Sequence, residues 1–127
     1  MDKPSIDGAV AATEEGKIAV CGFRNRVCPR FDLTREVLIL DRQKSEEAPV
    51  EVMDVASLSV DERFRALAVK GIKVLIVGGI QDRFQEMFSS HRIQVIWGVM
   101  GEIQDVIQAY QKGLLYPGVG SIPKRGH

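Results

Sequence analysis

The chain has 127 residues, 45% hydrophobic and 27% charged, with 17 basic side chains against 17 acidic ones. That length suits one domain with a core of its own, and the even charge gives no global pull toward nucleic acid or a membrane, so any anion site must be local. No apolar run reaches the ~18 residues of a membrane-spanning helix, and "MDKPSIDGAVAATEEGK" lacks the basic and apolar regions of a signal peptide. A reducing cytoplasm is the resulting expectation, and there two cysteines are free thiols or ligands more often than a structural disulfide.

Residues 1–15 mix Pro, Gly, Ala and acids without periodicity and read as a flexible leader. "KIAVCG" from Lys17 to Gly22 is an apolar run and a first, buried strand. About a dozen residues around Pro29 then show no regular pattern, and connections of that length in a compact domain are usually functional or disordered. "REVLILD" from Arg35 to Asp41 is a second strand, "RQKSEEAP" a polar turn, and "VEVMDV" from Val50 to Val55 a third strand. "SVDERFRALAVKG" changes to helical period, with Ser59 and Glu62 spaced as a capping box and Gly71 as its stop.

"IKVLIVGG" from Ile72 to Gly79 is the most apolar run and reads as a central strand. "IQDRFQEMFSSHR" follows as a helix with Phe84, Met87 and Phe88 inward. "IQVIWGV" is the last strand, and "GEIQDVIQAYQKGLL" a last helix with Ile103, Val106, Ile107 and Tyr110 on one stripe. Residues 116–127 hold Gly and Pro and read as a flexible tail, leaving 16–115 as a single domain. Short turns fit an antiparallel meander for the first three strands, and helical crossovers imply parallel pairing for the rest. The expectation is an α/β, ribonuclease-H-like three-layer fold, its mixed five-stranded sheet ordered 3-2-1-4-5 with helices on the faces.

Ligands of open α/β sheets bind beyond the carboxyl ends of parallel strands. Those ends are Cys21 with its loop, Gly78-Gly79, and the stretch Val99-Met100-Gly101, where two helices begin. Free N–H groups at helix starts favour an anion, and glycine permits close approach. Arg24, Arg26 and Arg30 sit on the loop above, and Cys21 and Cys28 bring sulfur to the same edge, where nearby positive charge favours thiolate. Asp82 and Glu102, in the first turns of those helices, oppose an anion there.

C-x6-C matches no zinc-finger or thioredoxin spacing, so metal ligands, a redox pair and buried small hydrophobes stand as alternatives. Met100 is either a gap-filler or a thioether ligand, His91 reads as a surface or capping residue, and Trp97 as core or interface. No nucleophile–base pair, converging carboxylates or nucleotide fingerprint is evident, so the chain does not read as an enzyme.

The chain resembles the dinitrogenase iron–molybdenum cofactor biosynthesis family, small domains related to nitrogenase accessory proteins and to molybdenum–copper cluster carriers. The matching stretches are "KIAV", "RVCPRFDLTREVLILD", "GIKVLIVGGI" and "IQVIWGVMGEIQDVIQAYQKGLL", which together span residues 17 to about 115. The resemblance implies non-catalytic binding of a metal–sulfur cluster (Fe–S, Mo–Fe–S or Mo–Cu–S) and, as partners, cofactor-assembly or acceptor proteins. For such a cargo the strand-end reading above makes Cys21 and Cys28 the candidate metal ligands, with Arg24, Arg26, Arg30, Gly78, Gly79, Met100 and Gly101 around the cofactor. Members generally show Ser-Pro-x-Phe-Asp or a Phe-Gly pair where this chain has "CPRFD", so Cys28 adds a thiol. Some carry cysteine where Met100 stands, which removes one. Neither nucleic acid nor membrane is an expected partner, and the expected state is a monomer or weak homodimer. A cysteine redox switch and a cofactor-free interaction or regulatory domain are the alternative functions.

Overall fold

The computed structural model describes residues 16–41 and 51–114. The expected leader, the "RQKSEEAP" turn and the tail from 116 onward lie outside the described residues. Among the described residues six strands form one mixed sheet: β1 (Lys17–Phe23), β2 (Arg26–Val27), β3 (Glu36–Asp41), β4 (Glu51–Asp54), β5 (Ile72–Ile76) and β6 (Gln94–Ile96). The helices are α1 (Val60–Ala68), α2 (Asp82–Ser90) and α3 (Ile103–Gln111). Strand order is β4-β3-β1-β5-β6, with β2 added to β1. β1 is antiparallel to β3 and parallel to β5, β3 is antiparallel to β4, and β5 is parallel to β6.

β1 occupies the centre because its side chains alternate between two apolar layers. Ala19 and Cys21 face one layer with Val37, Ile39, Leu75, Phe64, Phe84 and Phe88, so α1 and α2 cover that side. Ile18 and Val20 face the other with Val74, Ile76 and Ile96, under Val106 and Ile107 of α3. α1 starts where the spacing predicts: Ser59 Oγ accepts from the Glu62 N–H at 3.1 Å, and Glu62 Oε1 accepts from the Ser59 N–H at 2.9 Å. On α3, Ile103, Val106, Ile107 and Ala109 are buried, while Tyr110 is half-buried and packs against the layer.

Two expectations are corrected. The sheet has a sixth strand, because the residues after β1 are not irregular: Arg24 and Asn25 take positive φ values of 58° and 68° and turn the chain back as β2. Two such residues make the tight hairpin turn whose twist matches that of its strands. Arg-Asn lacks the glycine that normally marks this turn, which is why periodicity passes over it. A 3-10 turn, Phe31–Leu33, follows. The last two strands are also shorter than their apolar runs, since Gly78 and Gly79 pair with the loop instead of extending β5.

Candidate functional site

The carboxyl ends of β1, β5 and β6 lie beneath residues 24–35. The left-handed turn holds Arg24 and Arg26 outward, both exposed. The Arg24 and Arg35 guanidinium carbons lie 5.6 and 5.9 Å from the centre of the Phe23 ring, within cation–π range. Arg26 has no ion-pair partner among the described residues. Arg30 differs, because its Nε and a terminal nitrogen donate to the two carboxylate oxygens of Asp32 at 3.1 and 2.8 Å. That charge is already answered. A cavity of about 190 Å³ beside this pair is lined also by Phe31, Gly79, Ile80 and Gln81.

The glycines serve the chain itself. Gly78 N–H donates to the Cys28 carbonyl at 3.0 Å, Gly79 N–H donates to that of Pro29 at 2.6 Å, and Phe31 N–H donates to that of Gly79 at 2.7 Å. A Cβ on Gly78 would stand 2.6 Å from the Cys28 oxygen, so the absence of a side chain admits the loop backbone. At the other helix start, Val27 N–H donates to the Gly101 carbonyl and Ile103 N–H to that of Asn25, both at 2.9 Å. The close approach expected of Gly78 and Gly79 is thus taken up by the loop, and at the other helix start the Gly101 carbonyl and the Ile103 N–H are already engaged.

Cys21 and Cys28 are fully buried in the core beneath α1 and α2, away from the rim. The reason is register: both side chains leave the ladder on the inward face of the sheet. Cys28 Sγ donates to the Arg30 carbonyl at 2.9 Å. Burial pushes the Cys21 thiol from 9.0 up to about 12, opposed in part by the adjacent Thr34 hydroxyl and the Arg63 charge and reinforced by Cys28. Thr34 Oγ1 is enclosed beside that sulfur without a well-aligned hydrogen bond. In the unfolded chain the thiol loses its proton above pH 9.0 while the folded form keeps it to about 12. The folded state thus binds more protons in that window, and its stability, complete below pH 9, falls as pH rises. The slope contributed is at most about 1.4 kcal/mol per pH unit. Denaturant titrations of wild type and Cys21→Ala across this window are expected to show a shallower alkaline decline in the variant.

Met100 is 61% exposed and Trp97 36% exposed, so both stand at the rim rather than in the core. The Arg26 backbone bridges to Glu102, which places the turn next to the Met100-Gly101 stretch. His91 caps the end of α2, with Nδ1 2.9 Å from the Met87 carbonyl oxygen. Four residues matter that sequence reasoning passed over. Phe31 plugs the loop into the core, Asn25 turns the hairpin and caps α3, and Thr34 lies under the loop. Buried Arg63 donates to the carbonyls of Asp32, Val55 and Ala56. Arg63 was detectable, since it precedes Leu67 by four residues and so falls on the apolar stripe of α1.

Fold and rim together define a small mixed α/β domain that presents exposed guanidinium groups and a thioether above the carboxyl edge of its parallel strands. The chain belongs to the dinitrogenase iron–molybdenum cofactor family, whose model matches residues 16–113. Among solved structures it is similar to the crystal structure of PH0822, with 28% identity and a TM-score of 0.66 over 76% of this chain and 89% of that one. It is similar in fold to the apo form of the orange protein from Desulfovibrio gigas, at 20% identity and a TM-score of 0.66, covering 84% of this chain and 95% of that one. TM1290 of Thermotoga, solved by NMR, gives 23% identity and a TM-score of 0.60 over 77% and 89%. No curated protein is similar enough to this chain to match it. No helix among the described residues is long and apolar enough to cross a membrane.

Proposed function

We propose that this chain is a non-catalytic carrier of an anionic metal–sulfur cluster, handed between cofactor-assembly and acceptor proteins in the cytoplasm. The observation that carries this reading is the Arg24-Asn25 turn, which holds Arg24 and Arg26 outward, Arg26 without an ion-pair partner among the described residues, and bridges through the Arg26 backbone to Glu102 in the segment of exposed Met100. Family membership supplies the cargo class, iron–molybdenum cofactor or a related Fe–S, Mo–Fe–S or Mo–Cu–S cluster. The ribonuclease-H-like layout supports it by bringing three strand ends to one edge.

The residues fit such a cargo unevenly. Arg24 and Arg26 suit its negative charge, and the Met100 thioether suits a soft metal. Cys21 and Cys28 do not fit as ligands in this arrangement, because a metal would have to enter packed hydrocarbon. Arginine contacts on an open surface are worth about 1 kcal/mol each or less, so the Arg24→Ala/Arg26→Ala pair is expected to bind the cargo about tenfold more weakly. Anaerobic equilibrium dialysis against tetrathiomolybdate, followed by visible absorption, measures this, and raised ionic strength should mimic the double substitution. Equal binding by wild type and the double variant rules the rim reading out. Loss of binding only in Cys21→Ser/Cys28→Ser would return the site to the thiols.

A further inference from the structure

The expected separation of Cys21 and Cys28 along the chain gives no hint of how close they come in space. β1 and β2 pair with Gly22 opposite Val27 and Phe23 opposite Arg26. One rung further, Cys21 stands opposite Cys28, and the Cys28 N–H donates to the Cys21 carbonyl at 2.8 Å. Opposed residues on a hydrogen-bonded antiparallel rung have Cα atoms ~5.5 Å apart, within the ~4.4–6.8 Å that disulfides span. Both side chains point into the same core layer. We propose that Cys21 and Cys28 form a reversible dithiol–disulfide pair that locks the β1–β2 hairpin and the arginines on its turn.

The oxidant is an organic disulfide of the glutathione type. When the hairpin lifts, the thiolate of one cysteine attacks an oxidant sulfur, a mixed disulfide forms and one small thiolate leaves. The second cysteine then attacks the protein sulfur of that mixed disulfide and expels the other small thiolate. The protein loses two hydrogens, the oxidant becomes two thiols, and the two cysteine protons end on them. Access controls the rate, because both sulfurs are enclosed while residues 28–31 remain paired with Gly78 and Gly79. The closed state is also chemically quiet, since its protonated thiol is a poor nucleophile. The pair is thereby shielded at rest and open to oxidation whenever the hairpin frays. This device does not depend on the cargo proposed above.

The test exposes the full chain to excess oxidised glutathione under native conditions, alkylates the remaining thiols after denaturation, and digests with trypsin. Cleavage after Lys17, Arg24, Arg26 and Arg30 puts the cysteines on separate peptides, Ile18–Arg24 and Val27–Arg30. The expected product is those two peptides joined, restored to free thiols by dithiothreitol, with sub-denaturing urea raising the rate several-fold. Cys21→Ser and Cys28→Ser should each stop at a lasting glutathione adduct or stay unmodified. Thiols that remain alkylatable in the folded range, with and without the urea, overturn the proposal. So do a stable mixed disulfide on the wild type, bonds only between molecules, or a link formed only beyond the unfolding transition.

Discussion

Phe31→Ala is expected to lower the stability of the domain by about 3–5 kcal/mol, the range for removing a phenyl ring from a packed core. Phe31 is the only side chain by which the 3-10 turn enters that core, where its ring centre lies 5.5 Å from those of both Phe84 and Phe88. The contact with Phe88 is edge-on, a geometry that adds to simple burial. Phe64 continues the cluster at 4.8 Å from Phe88. Deleting the Phe31 ring therefore opens a cavity among rings that α1 and α2 hold fixed. Urea denaturation at unchanged m-value measures the loss, and amide exchange should quicken most between Arg26 and Leu33. A cost below about 1 kcal/mol would mean that the ring cluster collapses onto the gap instead of preserving it.

Arg63→Met is expected to cost about 3 kcal/mol although it removes a buried cation. Two effects oppose each other. A buried charge is unfavourable, and taking it away relieves that penalty. Yet Arg63 donates at 2.6 Å to the Asp32 carbonyl, at 2.9 Å to that of Val55 and at 3.2 Å to that of Ala56, joining the 3-10 turn to the segment leading into α1. Methionine keeps the stem's packing but leaves the Asp32 and Ala56 carbonyls without that partner, while the Val55 carbonyl keeps the Leu58 N–H at 3.1 Å. Guanidinium is weakly hydrated, so its own desolvation is mild, and the orphaned carbonyls decide the sign. Denaturation curves of Arg63→Met, Phe31→Ala and the double variant check this. Because both side chains fasten the same loop, their costs should fall short of adding. A stabilised Arg63→Met would show that desolvation wins.

Element types and their order were legible because apolar periodicity is loud. The run from Ile72 is buried on both faces, and Ser59 with Glu62 announces the start of α1. The placement of single polar groups was not legible. Whether Cys21 faces a core or a rim depends on which way one rung of a ladder points, and that follows from a two-residue turn whose Arg-Asn sequence carries no strong signal. Gly78 looked like an opening for a guest, and it proved to be an opening for the chain's own Cys28-Pro29 backbone. Its neighbours in sequence cannot tell those uses apart, since both require a missing Cβ. The Arg30 ion pair was hidden for a related reason: a carboxylate two residues away is as available to a guanidinium as any visitor.

The backbone plugging of the rim has a kinetic corollary. Asn25 already covers the first N–H of α3, and Pro29 covers that of Gly79, so at these two points only side-chain heads are left to grip the proposed cargo. If the proposed cargo binds here, a grip of that kind needs no lid to part before release, and its residence time should be short and tuned by salt. On the proposed carrier reading, an acceptor with more or better-buried donors would take the load by simple competition, and the emptied domain would keep its shape.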